Sequence, residues 1–261
     1  DFNSISTFSF NVNKKLKFDN LKVESNVNLS ELIINQKDLK LKPYFPNFSE
    51  EINLKDHNIT ISYYKNKFNI KGNGNILLQD KSDNLSYEII NDDNNILFES
   101  KINIKNNSLL ISLLDYEKKE GSDSSILFKG NFKKNDKLKF DLISLKDKSN
   151  EILIRDLELS KNFKITYIKN FFFSYKNKKK IFNKINLKKD KSNFIIEGES
   201  FDATQLINRV MDSDNESVSI FENLNSKINI KIKKTYIDET NYMNNLQGYI
   251  NFDNNKINDL R

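Results

Sequence analysis

Cysteine is absent from all 261 residues, and tryptophan with it. Neither a disulfide framework nor a thiolate metal site can be built. A single histidine, His57, leaves no second imidazole or thiol to complete a zinc site or a nucleophile–base pair. Glycine and proline are scarce, 6 and 2 residues, against averages of roughly 7% and 5%. Turns must therefore come from Asn, Asp and Lys, of which Asn and Asp tolerate the left-handed conformation and bond their own backbone. Runs such as Asp92–Asn95, Asn106–Asn107 and Asn254–Asn255 fit that role. No run of about 18 apolar residues occurs, so no membrane-spanning helix is expected within the chain. No glycine-rich phosphate loop is present either. Gly72-Asn73-Gly74 lies inside an alternating stretch and reads as a bulge or a close packing point.

What is present is alternation. Phe68, Ile70, Gly72, Gly74, Ile76 and Leu78 share one parity, against Lys67, Asn69, Lys71, Asn73 and Asn75. Ile96, Phe98, Ser100, Ile102 and Ile104 repeat the pattern. So do Phe163, Ile165, Tyr167, Phe171, Phe173 and Tyr175, broken by Lys169, and Ile228, Ile230 and Ile232. Period-2 alternation of this kind predicts half-buried antiparallel strands with one dry face. With 20 Phe, 10 Tyr and 37% hydrophobic residues there is matter for a core. About a dozen or more strands are expected, too many for a flat open sheet to carry without curling, splitting or closing. The predicted fold is all-β: a long antiparallel meander in a strongly curved, gutter-like sheet, spanning 1–261 as one elongated segment. A sandwich or a closed barrel would alternate in the same way. Both prolines sit in 42–48, which predicts a loop and a sub-boundary near 42–50. Ser30–Ile34 is read as a short helical turn.

Charge and carboxylates point to no chemistry. Net charge is +6, and the lysines are read as the wet half of the strands. Glu197, Glu199 and Asp202 lie close together, but Glu197 and Glu199 are two apart on a strand and share its polar face, which is what a solvated face produces. Lys55-Asp56-His57-Asn58 reads as a polar turn with His57 at the surface. The basic run Lys176, Lys178, Lys179, Lys180, Lys184, Lys188, Lys189 and Lys191 follows the aromatic stretch 171–175. Its lysines are read as lying off the aromatic face, so no nucleic-acid partner is expected. No catalytic, cofactor-binding or metal site is expected, and the chain is read as not an enzyme.

One segment departs from the rhythm. In Gly198–Met211 the spacing of Leu206, Ile207, Val210 and Met211 predicts a helix over about 202–212, with Asp202 capping it and Gln205 placed to reach back. A second helical turn is allowed over 217–223.

The phrase Gly198-Glu199-Ser200-Phe201-Asp202-Ala203, a strand passing into a Leu/Ile helix, resembles the C-terminal region of the AsmA-like proteins, the YhdP and TamB relatives of Gram-negative envelopes. Leu246-Gln247-Gly248-Tyr249-Ile250-Asn251-Phe252, followed by a polar hairpin, is similar to the same family's rhythm. The likeness covers about 160–261. It implies a periplasmic protein tethered to the inner membrane by an anchor outside this segment; with neither an initiator Met nor a signal peptide at Asp1, the chain is read as a segment of something longer, and the absent anchor and the Asn/Lys-heavy composition depart from the family. It also implies a β groove that shields phospholipid acyl chains in transport between inner and outer membranes and supports outer-membrane integrity, with no catalytic residue or cofactor to carry over. The groove-facing candidates are Phe68, Ile70, Ile76, Phe98, Ile102, Ile104, Phe171, Phe173, Ile228, Ile230 and Ile232. The alternative is a structural, adhesin-like β-rich surface module whose apolar face is packed core.

Overall fold

Alternating segments leave their backbone N–H and C=O groups no better partner than a neighbouring strand. The computed structural model describes residues 1–35, 41–92, 94–133, 137–211, 221–238 and 240–261, and it is all-β save for one α-helix and one 3-10 turn. The chain forms two compact units, Asp1–Leu109 with Lys119–Asp136, and Leu110–Lys118 with Lys137–Arg261.

The first unit contains β1 (Phe2–Val12), β2 (Phe18–Asn35), β3 (Glu51–Tyr64), β4 (Lys67–Leu77), β5 (Ser82–Asp92) and β6 (Asn95–Ile104). After a hairpin of β7 (Leu109–Ile111) and β8 (Tyr116–Lys118), which brackets the 3-10 turn Ser112–Leu114, the unit is completed by β9 (Ser124–Lys133). Its sheet runs β1-β2-β3-β4-β5-β6-β9, antiparallel at every step. Ser30–Ile34 is not helical: it continues β2, with Leu32 opposite Leu54 and Ile34 opposite Ile52. Cross-strand apolar pairing outweighs the local helical spacing there. On the wet face, Lys71, Glu88, Glu99 and Lys129 stand in one row across β4, β5, β6 and β9. The outer lysines reach the inner carboxylates at 3.1 and 3.3 Å. Such exposed pairs add little stability, but they offset the like charges set side by side.

The second unit contains β10 (Leu138–Asp147), β11 (Asn150–Leu159), β12 (Ile165–Lys176), β13 (Phe182–Asp190) and β14 (Asn193–Asp202). Then come α1 (Thr204–Met211), β15 (Ser226–Tyr236), β16 (Tyr242–Asp253) and β17 (Lys256–Leu260). These strands lie in chain order. The meander is not antiparallel throughout, because β14 and β15 pair in parallel, with Phe194 opposite Ile228 and Ile196 opposite Ile230. A parallel neighbour cannot be reached by a hairpin and needs a crossover, and α1 lies in that crossover. In neither unit do the first and last strands pair with each other, so neither closes as a barrel.

The helix begins at Thr204 and takes only part of the expected cap: Asp202 accepts from its start, but the Asp202 N–H, which the sequence places Gln205 to meet, donates to Asn183 Oδ1 at 2.7 Å. The Thr204 backbone N–H and hydroxyl both donate to Asp202 Oδ1, at 3.1 and 2.5 Å, while the Asn177 amide donates to Asp202 Oδ2 at 2.8 Å. The helical turn expected over 217–223 lies outside the described residues except for its end, where Phe221 forms a parallel bridge with Ile165. Phe163 is not part of the inward row: it lies in the turn before β12 at left-handed φ 58°, 67% exposed. The parity of β12 also shifts. Ile168 faces Leu157 while Phe171 faces Ile154, three residues on in both strands. Asp156, at φ 49°, and Lys169 stand at that step, paired at 2.9 Å. The buried residue is therefore Ile168, not Tyr167.

Candidate functional site

In the first unit the register gathers the predicted apolar residues on one side. Ile89 stands between Ile70 and Phe98, and Leu85 between Gly74 and Ile102. Phe68 lies opposite Tyr63 and Ile76 opposite Leu54. Ile102 lies opposite Ile126 and Ile104 opposite Ser124. Phe68, Ile70, Phe98 and Ile102 are half-buried, whereas Ile76 and Ile104 are buried. The difference has a local cause at the Ile76 end. The proline loop carries Phe45 and Phe48, both buried, and Asn47 ties it to the end of β4 through its N–H to Gln79 Oε1 at 3.1 Å. At the other margin the same side carries Phe2 and Phe8 of β1, 72% and 69% exposed.

The second unit repeats the arrangement. One row runs Ile154, Phe171, Leu187, Ile196, Ile230 across five strands. The next runs Ile152, Phe173, Ile185, Gly198, Ile232, and Ile228 stands beside Phe194. Phe171, Ile228 and Ile230 are half-buried; Phe173 and Ile232 are buried. Leu157, Ile168 and Phe194 form the centre of a cluster that Phe140, Ile143, Phe171, Leu187 and Ile228 extend. The Phe173 end is covered by the β7–β8 hairpin. Tyr116 meets Tyr175 edge-on at 5.5 Å between ring centroids, and the Tyr175 hydroxyl donates to the Leu114 carbonyl at 2.5 Å. Burial holds both phenols well above the usual tyrosine range.

His57 is not a surface residue. It lies within β3, 1% exposed, its ring 5.8 Å from that of Tyr87, and its Nε2–H donates to the Asn75 carbonyl at 2.9 Å. The polar neighbours that suggest a turn instead mark a bulge, with Asp56 at left-handed φ 54°. This bulge rotates His57 inward over Gly74, so the ring serves packing. Among the described residues no cluster of three or more His, Asp or Glu is disposed to hold a metal ion. No described helix is long and apolar enough to cross a membrane.

The basic run divides. Lys184 pairs with Glu199 at 2.6 Å and Lys178 with Glu117 at 3.6 Å, as wet-face residues do. Lys189 does not follow them. It shares the parity of Ile185 and Leu187 and stands opposite Phe194, so its ammonium lies 4.3 Å from the Tyr167 ring centroid and 5.9 Å from that of Phe194. Contrary to the expectation for the run, Lys189 shares the aromatic face. Lys189 lines a cavity of about 330 Å³ together with Tyr167, Ile168, Phe194, Glu222 and Leu224. Sequence reasoning passed over Lys189 as one basic residue among many, although its alternation with Leu187 was the available signal. Glu222 gave no signal at all, because a tertiary bridge brings its segment to the sheet. No protein-family description, no curated protein and no solved structure matches this chain.

Proposed function

We propose that this chain is a segment of an AsmA-like envelope protein whose apolar sheet faces shield the acyl chains of phospholipid on their way between inner and outer membranes. The reading carries a periplasmic location, with tethering through an anchor outside the segment, and assigns no catalysis. One observation carries it: half-buried Ile and Phe residues form continuous rows across the strands of each unit, and among the described residues no helical layer covers them. The one described helix lies against the 3-10 turn. A packed-core surface module accounts for the covered ends at Phe45, Phe48 and Tyr116, but it leaves the half-buried rows between without a purpose. An apolar face that is ordered yet incompletely covered suits a ligand that is itself a flexible hydrocarbon.

The test is lipid content and uptake. The purified chain is expected to carry phospholipid detectable by mass spectrometry of an organic extract, and the delipidated protein to take up a spin-labelled phospholipid. Phe98→Glu and Ile230→Glu, each placed in the middle of a row, are expected to reduce uptake at least about fivefold while far-UV circular dichroism stays unchanged, since a buried carboxylate excludes hydrocarbon. A delipidated protein that takes up no labelled lipid ends the proposal. Global unfolding by both substitutions establishes the packed-core alternative.

A further inference from the structure

The cavity beside Lys189 lies at the margin of the second unit's apolar cluster, and Phe194 and Ile168 belong to both. Its outer wall is a built one. The segment 221–226 is fastened by the Phe221–Ile165 bridge and by the Glu222 N–H donating to the Ile165 carbonyl at 3.0 Å. Further along, the Leu224 N–H donates to Asn255 Oδ1 at 2.6 Å, the Asn255 N–H returns to the Leu224 carbonyl at 3.1 Å, and the Ser226 hydroxyl donates to the Ser192 carbonyl at 2.7 Å. Holding an irregular segment at this many points keeps the cavity open rather than collapsed.

Two opposite charges face this space without meeting. Lys189 is half-buried, its ammonium placed by two aromatic rings, and no carboxylate of the described residues pairs with it. Glu222, also half-buried, pairs with no described cation. The remaining lysine on the wall, Lys137, is engaged with Glu158 at 3.5 Å. A charge partly removed from water, with no counter-charge among the described residues, favours a ligand that supplies one. A simple anion would satisfy Lys189 and be repelled by Glu222, and a simple cation the reverse. A ligand that carries both signs within a few ångströms satisfies both. At about 330 Å³ the cavity lies at the small end of ligand sites, which run from roughly 300 to 1,000 Å³.

We infer that this cavity binds the headgroup of a zwitterionic phospholipid, with its phosphate on Lys189, its primary amine on Glu222 and its glycerol end directed over Phe194 toward the apolar rows. The inference rests on the acyl-shielding function proposed above and names its preferred substrate class.

The test titrates the full chain, freed of lipid, with dihexanoyl phosphatidylethanolamine, dihexanoyl phosphatidylglycerol and free phosphoethanolamine in isothermal calorimetry. The ethanolamine lipid is expected to bind about tenfold tighter than the glycerol lipid, because only it pairs with Glu222. Lys189→Gln is expected to weaken both lipids. Glu222→Gln is expected to erase the preference by weakening the ethanolamine lipid, while the glycerol lipid, relieved of the repulsion, binds at least as tightly as before. Should Lys189→Gln fail to fold, Lys189→Met keeps an unbranched stem opposite Phe194 and removes the charge. Equal affinities for the two lipids in the parent protein, or variants that titrate like the parent, overturn the inference. Free phosphoethanolamine binding as tightly as the lipid also overturns it, in favour of a soluble zwitterion. Spin-labelled phospholipid uptake, followed in parallel, separates the two proposals: uptake retained with no headgroup preference removes the cavity site alone, and uptake lost in the parent protein removes both.

Discussion

His57 and Gly74 illustrate how one residue without a side chain makes room for another in a sheet. A Cβ built at Gly74 would lie 2.4 Å from His57 Cδ2 and 2.8 Å from His57 Cα, whereas one at Gly121, with φ 78°, would meet nothing within 4 Å. The two glycines are thus required for different reasons, space in one case and backbone conformation in the other. Gly74→Ala is expected to destabilise the protein by about 1–3 kcal/mol, as overpacking does. Urea unfolding checks this, and a loss below about 0.5 kcal/mol would mean that the His57 ring yields freely. The same scale accounts for the unreadable status of His57 in the sequence. A lone His between Asp and Asn has the composition of a turn, and only the bulge at Asp56 decides that it points inward.

At the scale of elements, turns built without glycine or proline have to be held by side chains. The β15–β16 turn is the clearest case. Asp238 accepts from the side-chain amide of Asn241 at 2.8 Å and from the backbone N–H groups of Thr240 and Asn241 at 2.8 and 2.7 Å. These donors, the Asn241 amide first, hold its carboxyl down to about 2. A carboxylate depressed on folding contributes stability that is present above its unfolded value of roughly 3.9 and is lost as pH falls through the folded one. Carbon-13 NMR titration of the Asp238 carboxyl is expected to give a midpoint of about 2, and Asn241→Ala is expected to raise it. An ordinary midpoint in the parent protein would show that the turn is not held in this way. The parallel β14–β15 pair is the element that local sequence does not announce. The capped helix after Asp202 is readable as a helix, but its role as a crossover depends on which strand β15 chooses as its neighbour.

At the scale of the molecule, alternation of this length leaves open edges, and β1 is an unusual one. It carries no charged residue over Phe2–Val12, every position along it is exposed, and Phe2, Ile5 and Phe8 are 72%, 73% and 69% accessible. Edge strands usually carry Lys, Pro or a strong twist that blocks further pairing. The isolated chain is therefore expected to self-associate with rising concentration, and Ile5→Lys to suppress this, as followed by light scattering. Identical scattering from the two proteins would show that the edge is already blocked.

The sequence by itself determined the class of the fold and, wherever alternation runs unbroken by a bulge or turn, the side on which each residue lies. A period of two assigns each side chain to a side before any partner is known, so Ile70, Phe98, Phe171 and Ile230 were legible as one kind of position. It also determined the capped helix, because Asp202 acts on its own chain neighbours. Tertiary structure alone decided the parallel pairing of β14 with β15, the inward turn of His57, and the placing of Lys189 and Glu222 on the wall of one cavity. Each of these depends on a bulge that switches parity or on a contact between segments far apart in the chain, and a local pattern carries no information about either.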